Sequence, residues 1–121
     1  MLLYETLCAL DGATPRELRP EDVTRDALAG TDAHCVETLD MFCGILGSAA
    51  ANLAVTLGAR GGVYVGGGIV PALGAAFDRS SFRARFEAKG RYRDYVSAMP
   101  TYVITATHPG LRGVARVLSG D

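Results

Sequence analysis

Gly66, Gly67 and Gly68 stand between a β-rich run, Val63-Tyr64-Val65, and the apolar pair Ile69-Val70. Glycines at that spacing let a backbone pass close to a ligand, because a residue without Cβ tolerates positive φ and leaves room beside the chain. Strand, glycine turn and helix start, with Pro71 at the first helical position, predict a strand-turn-helix unit over 61–77. The free N–H groups of such a helix start suit a nucleotide or another flat polar guest. Two phosphate loops are excluded by their own spacing. A Walker loop carries Lys-Ser or Lys-Thr after its last glycine, where this chain has Ile69-Val70. The dinucleotide fingerprint needs a glycine where Pro71 stands. A tight turn without a ligand uses the same residues, so the triplet alone does not decide.

The other chemistry-bearing residues are sparse. Cys8, Cys35 and Cys43 are widely spaced, with no Cys-x-x-Cys pair, which argues against a disulfide framework and against structural zinc. His34 beside Cys35 lacks a second ligand pair, so no metal site is assigned and the thiols read as buried groups of a reducing cytoplasm. Among the carboxylates, Asp11 falls at a helix end, Glu87 and Asp94 lie among arginines, and Asp121 is terminal. None is assigned as a catalytic base. Residues 1–40 hold nine acids against three arginines, while residues 41–121 hold nine bases against four acids, so the charge is strongly divided along the chain. Six of the twelve basic residues lie between Arg79 and Arg93 and read as a solvated helix face or a surface for an acidic partner segment or a phosphate. A net charge of −1 and the absence of Trp give no sign of a nucleic-acid partner.

The elements that must position these residues follow from apolar spacing. The chain of 121 residues, 49% hydrophobic, suits one domain with a real core. Met1 to Leu10 predicts a helix stopped by Gly12, and Glu5 interrupts any signal-peptide run. Thr14-Pro15 and Arg19-Pro20 mark a loop, after which Thr24 caps a short helix ended by Gly30. Thr31 or Asp32 caps a long helix reaching Leu57, with Val36, Leu39, Phe42, Cys43, Leu46, Ala50, Leu53 and Leu57 as its apolar stripe. Its small residues, Gly44, Gly47, Ser48, Ala49 and Ala51, imply close approach of a neighbour. Ser48, Asn52 and Thr56 make Cys43–Ala59 too polar for a membrane span, so the helix is read as buried. After the glycine turn come a helix over 71–77, a second capped by Ser80 or Ser81 and ended by Gly90, and a third over 91–98. Thr101 to Thr105 reads as the second strand, and Pro109-Gly110 opens a last helix with Leu111, Val114, Ala115 and Leu118 on one face. The order predicts an α/β fold with a parallel sheet. Two strands are too few to cover their own edges, so the sheet is expected to be incomplete.

The run Gly61 to Pro71 resembles the adenosine motif of sugar kinases in the hexokinase and actin-like ATPase superfamily. Leu3-Tyr4, Pro20-Glu21-Asp22-Val23-Thr24, Asn52-Leu53-Ala54, Ser81 to Arg91, and His108-Pro109-Gly110-Leu111-Arg112-Gly113 narrow the resemblance to the bacterial glucokinase family. It extends over essentially the whole chain but matches only the C-terminal portion of a member. The resemblance implies the C-terminal part of an actin-like (ribonuclease-H-like) domain, an incomplete sheet flanked by helices, with the last helix, about 110–119, packing back on an N-terminal domain. It also implies ATP-dependent phosphorylation of glucose with Mg²⁺, by a cytoplasmic homo-oligomer with neither nucleic-acid nor membrane partners. Gly66, Gly67, Gly68 and Ile69 match the adenosine loop. The family's phosphate loop, Asn-Asp pair and Glu-x-Gly-His sugar motif have no counterpart; Asp11-Gly12-Ala13-Thr14 follows a helix and lacks the second glycine. The resemblance therefore implies a chain inactive by itself. Two other readings stand beside it: a non-catalytic nucleotide-binding or self-association module, and a kinase-like sugar-sensing regulator.

Overall fold

Helix α3 (Ala33–Leu57) is the beam on which the other elements rest. The computed structural model describes residues 2–120; Met1 and Asp121 lie outside the described residues. α3 begins because Asp32, in extended conformation, accepts the N–H groups of His34 (2.9 Å) and Cys35 (3.2 Å) on its Oδ1. It ends because Gly58 turns left-handed at φ 60° and lets Ala59 N–H reach Ala54 C=O at 2.9 Å. Before it lie α1 (Leu2–Leu10) and α2 (Pro20–Ala29), each also stopped by a left-handed glycine, Gly12 and Gly30. The cap expected from Thr24 is not there. α2 is capped five residues earlier, at Arg19, where Asp22 folds back onto the Arg19 N–H at 3.1 Å, and Thr24 Oγ1 instead donates to the Pro20 carbonyl within the helix.

α3 is long and apolar enough by length and composition to cross a bilayer, yet α1, α2 and α6 (Phe82–Glu87) pack around it. The expected stripe turns inward at its middle, where Leu39, Phe42, Cys43, Leu46 and Ala50 pack into the core, but not at its ends. Val36, Leu53 and Leu57 are exposed, whereas Gly44, Gly47, Ala51 and Ala54 are buried. The reason is the distance to α6. A Cβ on Gly47 would lie 2.2 Å from the Phe82 carbonyl oxygen, so the two backbones touch where bulkier side chains would hold them apart. That approach seats Phe86, Val96 and Met99, all at most 1% exposed, against Ala51 and Ala54. Each large side chain so buried contributes ~1.5–3 kcal/mol. Ser81 ties the start of α6 to α3, its N–H on Asp40 Oδ1 at 2.7 Å and its hydroxyl on the Asp40 carbonyl at 3.0 Å.

β1 (Val63–Val65) and β2 (Thr101–Val103) form a parallel pair in which Val63, Tyr64 and Val65 face Thr101, Tyr102 and Val103. Val65 points into the core with Cys43, Val70, Leu73, Phe77 and Phe82. Tyr64 and Tyr102 stack on the opposite face with ring centroids 5.0 Å apart, both exposed. β2 is shorter than expected, with Ile104 contributing only an N–H bond to Val65 C=O at 2.9 Å. Between the strands run α4 (Ile69–Leu73), α5 (Ala75–Asp78), α6, a 3₁₀ turn (Gly90–Tyr92) and α7 (Arg93–Ser97). The single helix expected over 71–77 is thus two short ones, broken at Gly74, whose φ of 51° and ψ of −131° is open to glycine alone at no strain. Pro71 sits third in α4 instead of first, where it still needs no N–H partner. Gly90 opens the 3₁₀ turn instead of closing α6, which ends at Glu87. Arg83 braces this region, bonding Glu87 Oε1 (2.7 Å), Met99 C=O (2.8 Å) and Ser97 C=O (2.8 Å). Last comes α8 (Pro109–Ser119), amphipathic with no buried residue.

Candidate functional site

Gly66, Gly67, Gly68 and Ile69 form the bend between β1 and α4, and all four are exposed. Gly67 holds φ at 110°, a conformation that a side chain strains. A Cβ on Gly67 or Gly68 would meet nothing within 4 Å, so the space beside the bend belongs to no protein atom; only at Gly66 is there a neighbour, Ile104 Cδ1 at 3.4 Å. Among the described residues, none of the three glycine N–H groups bonds to a carbonyl or side-chain acceptor. The bend therefore offers open backbone, with donors free, to a flat or polar guest.

Ile69 carries the bend into an apolar slot of about 180 Å³ walled by α1, α2 and α3. Leu3 and Tyr4 come from α1, Val23 and Thr24 from α2, and Thr38 and Phe42 from α3. Thr24 Oγ1 donates to Pro20 C=O at 3.3 Å and Thr38 Oγ1 to His34 C=O at 2.6 Å. With its proton committed to the helix, each hydroxyl keeps only the capacity to accept. Leu3-Tyr4, Pro20 with Val23-Thr24, and Ile69 are remote in sequence but share this one place. Leu39 and Phe42, which the apolar spacing assigned to core alone, line it as well, and Thr38 carried no sequence signal at all.

A knot of charges fixes the walls. Arg16, in the loop between α1 and α2, reaches Asp26 Oδ2 at 2.8 Å and Asp32 Oδ2 at 2.6 Å, and so clamps α2 to the start of α3. The Tyr4 hydroxyl, from α1, stands 3.4 Å from the same Asp32 oxygen. Hydrogen bonds from Arg16 and Arg25 hold the Asp26 carboxyl below its usual range. At Asp32, burial pushes upward, but Arg16 together with the Cys35 and His34 N–H groups outweighs it, and the carboxyl also lies low. Burial pushes the Tyr4 hydroxyl up, and the Cys35 thiol up to about 11, so this cysteine stays a neutral core residue. His34 Nε2 lies 3.1 Å from Asp11 Oδ2, which joins the end of α1 to α3. These carboxylates are occupied in structure and none faces the slot as a base.

Elsewhere, Asn52 and Lys89, from two separate motif stretches, meet through Lys89 Nζ and Asn52 Oδ1. His108 takes a left-handed conformation, φ 50°, immediately before α8. Among the described residues no group of three His, Cys, Asp or Glu side chains is placed to hold a metal ion. The described carboxylates and thiols are thus not gathered into a Mg²⁺ or zinc centre.

Comparison with known proteins bears on the whole chain. The model of the glucokinase family matches residues 1–120. A glucokinase of Chromobacterium violaceum is 56% identical over 118 residues, spanning 98% of this chain and 34% of that protein. One from Neisseria meningitidis serogroup B is 50% identical, spanning 97% of this chain and 36% of that protein. The crystal structure of a glucokinase from an Antarctic psychrotroph superposes with a TM-score of 0.87 at 35% identity, spanning 98% of this chain and 37% of that one. The chain thus spans about a third of the length of the relatives it matches.

Proposed function

This chain belongs to the glucokinase family, and from that premise we propose that it supplies the adenosine-binding part of a kinase that transfers the γ-phosphoryl of ATP to the 6-hydroxyl of glucose. The observation that carries the reading is the meeting of the glycine bend with the apolar slot. Gly67 and Gly68 leave open space beside the backbone, where the ribose would lie, and Ile69 lines the apolar cleft where the base would lie. The acceptor oxygens of Thr24 and Thr38 suit the exocyclic amine of adenine. Mg²⁺ would ride on the nucleotide's phosphates. No residue here is assigned to it.

Phosphoryl transfer rests on positioning and electrostatic stabilisation, with a carboxylate to take the hydroxyl proton. This chain's carboxylates near the slot are held by arginines, and none follows an asparagine in sequence. We therefore assign the chain to the C-terminal portion of the kinase, with turnover absent from the chain by itself. In this reading α8 packs its apolar face on an N-terminal domain, which accounts for a helix that buries nothing here. The complete protein works as a cytoplasmic homo-oligomer.

The test is nucleotide binding measured by calorimetry. Gly67→Val adds a branched side chain where the ligand passes, and Thr24→Phe fills the slot from its wall. Each should weaken ATP at least tenfold, about 1.4 kcal/mol, in the chain and in the complete protein, with glucose affinity of the latter little changed. Unaltered ATP affinity in folded variants would reject the assignment. Turnover of glucose by this chain alone, in a coupled assay for glucose 6-phosphate, would show that a base has been overlooked.

A further inference from the structure

Past the slot, between the last turn of α2 and α5, lies a second cavity of about 280 Å³. The two follow one another along the helices that flank them. On α2, Val23 and Thr24 line the slot, while Ala27 and Leu28, one turn on, line the second cavity. On α4 the same step runs from Ile69 to Leu73. Leu39, on α3, is alone among the described residues in lining both. At about 100° per residue, Thr38 and Phe42 fall to one side of it and Asp40 and Cys43 to the other. Leu39 is therefore the partition between the two spaces.

We propose that Leu39 determines which purine nucleotides the slot admits: it excludes a base with bulk on its exocyclic amine, by closing the way into the second cavity. The inference rests on the nucleotide reading of the slot and deepens it. In that reading the amine lies toward the acceptor oxygens of Thr24 and Thr38. Thr38 directly precedes Leu39 on the helix, so a group added to the amine must pass Leu39.

The leucine side chain is not free to swing aside, because it packs against the core cluster of Cys43, Val70 and Leu73. Behind it the second cavity has room for an aromatic ring, and exposed Leu28, Val36 and Arg79 leave its far rim open. The opposite wall has no such space. Tyr4 and Val23 there pack with Cys8 and Cys35 in a core cluster of their own. Shortening the side chain at position 39 would thus join the slot to the second cavity and to nothing else.

The experiment is calorimetry with ATP and with benzyl-ATP, the analogue carrying a benzyl group on the exocyclic amine, in the chain and in the complete protein. The parent should bind benzyl-ATP roughly tenfold or more weaker than ATP, and Leu39→Ala should recover most of that factor with ATP itself little changed. Ala76→Phe, which fills the second cavity from α5, should cancel the gain in the Leu39→Ala background and leave ATP binding as it was. Circular dichroism verifies folding, and Leu39→Val, a milder trim, should give a smaller gain in the same direction. Thr24→Phe separates the two readings. If it weakens ATP while Leu39→Ala and Leu39→Val gain nothing for benzyl-ATP, the slot stands and the partition falls; if it leaves ATP unaltered, both fall. Equal affinity of the parent for ATP and benzyl-ATP, or a gain that Ala76→Phe does not remove, would also overturn the proposal.

Discussion

Gly47→Ala sets two opposed effects against each other and so tests the packing of α3 on α6. In an exposed helix, replacing glycine by alanine stabilises by ~1 kcal/mol. At Gly47 the added Cβ would lie 2.2 Å from the Phe82 carbonyl oxygen, 3.0 Å from its carbon and 3.1 Å from its Cα. All three are backbone atoms, so no rotamer change relieves the contact; α6 must retreat as a unit. Ordinary carbon contacts begin near 3.5 Å, and overpacking of well-filled sites costs ~1–3 kcal/mol. Retreat would also loosen Phe82 and Phe86, which α6 buries. The clash should win, with a net loss of up to about 2 kcal/mol once the helix-propensity gain is subtracted. In urea unfolding followed by helical circular dichroism, that is a midpoint shift of roughly 1 M at ordinary slopes. The control is Gly113→Ala in α8, where a Cβ meets nothing within 4 Å. It should raise the helix signal without lowering the midpoint. If Gly47→Ala is as stable as the parent, the close approach of α3 and α6 is wrong, and with it the account of why the small face is buried.

Acid should loosen the walls of the slot. The Asp26 and Asp32 carboxyls lie below their usual range in the folded chain, so near pH 4 the unfolded chain binds more protons. Their contribution is complete above the unfolded value of about 3.9 and fades as pH falls through the lower native values. Arg16→Gln should destabilise at neutral pH and flatten this acid slope; an unchanged slope in a urea series across pH would refute the role given to Arg16. Separately, α8 should exchange its amide hydrogens at nearly unstructured rates in this chain while α3 and α6 are protected, because nothing covers it. Strong protection of α8 would mean that its apolar face already has a partner.

Ends of elements were legible in the sequence because their causes are local. Asp32 caps α3 through N–H groups two and three residues on, and Gly12 and Gly30 stop their helices by φ values that glycine adopts at no strain, although Gly90, read as the same kind of stop, opens a 3₁₀ turn. The glycine bend after β1 and the parallel pairing of two β-rich runs were legible for the same reason: turn chemistry and the alternation of strand with helix are written within short windows. Thr24 misled because threonine is a good cap in any helix, and only the Asp22–Arg19 contact places the start of α2 earlier.

Where the buried face of α3 stops was decided by tertiary structure. Hydrophobic spacing placed Leu39, Phe42, Cys43, Leu46 and Ala50 correctly against the core, and the small residues Gly44, Gly47 and Ala51 correctly implied a close neighbour; only the packing of α6 shows that Val36, Leu53 and Leu57 are left outside it. The slot, too, exists only in three dimensions. Its walls come from residues 3 to 69, and Arg16 draws them together by reaching Asp26 and Asp32 at once. Sequence by itself determined the glycine bend and the residue types around it. Long-range packing and one shared arginine decided that a cleft lies beside it, because neither contact has a signature at any fixed spacing along the chain.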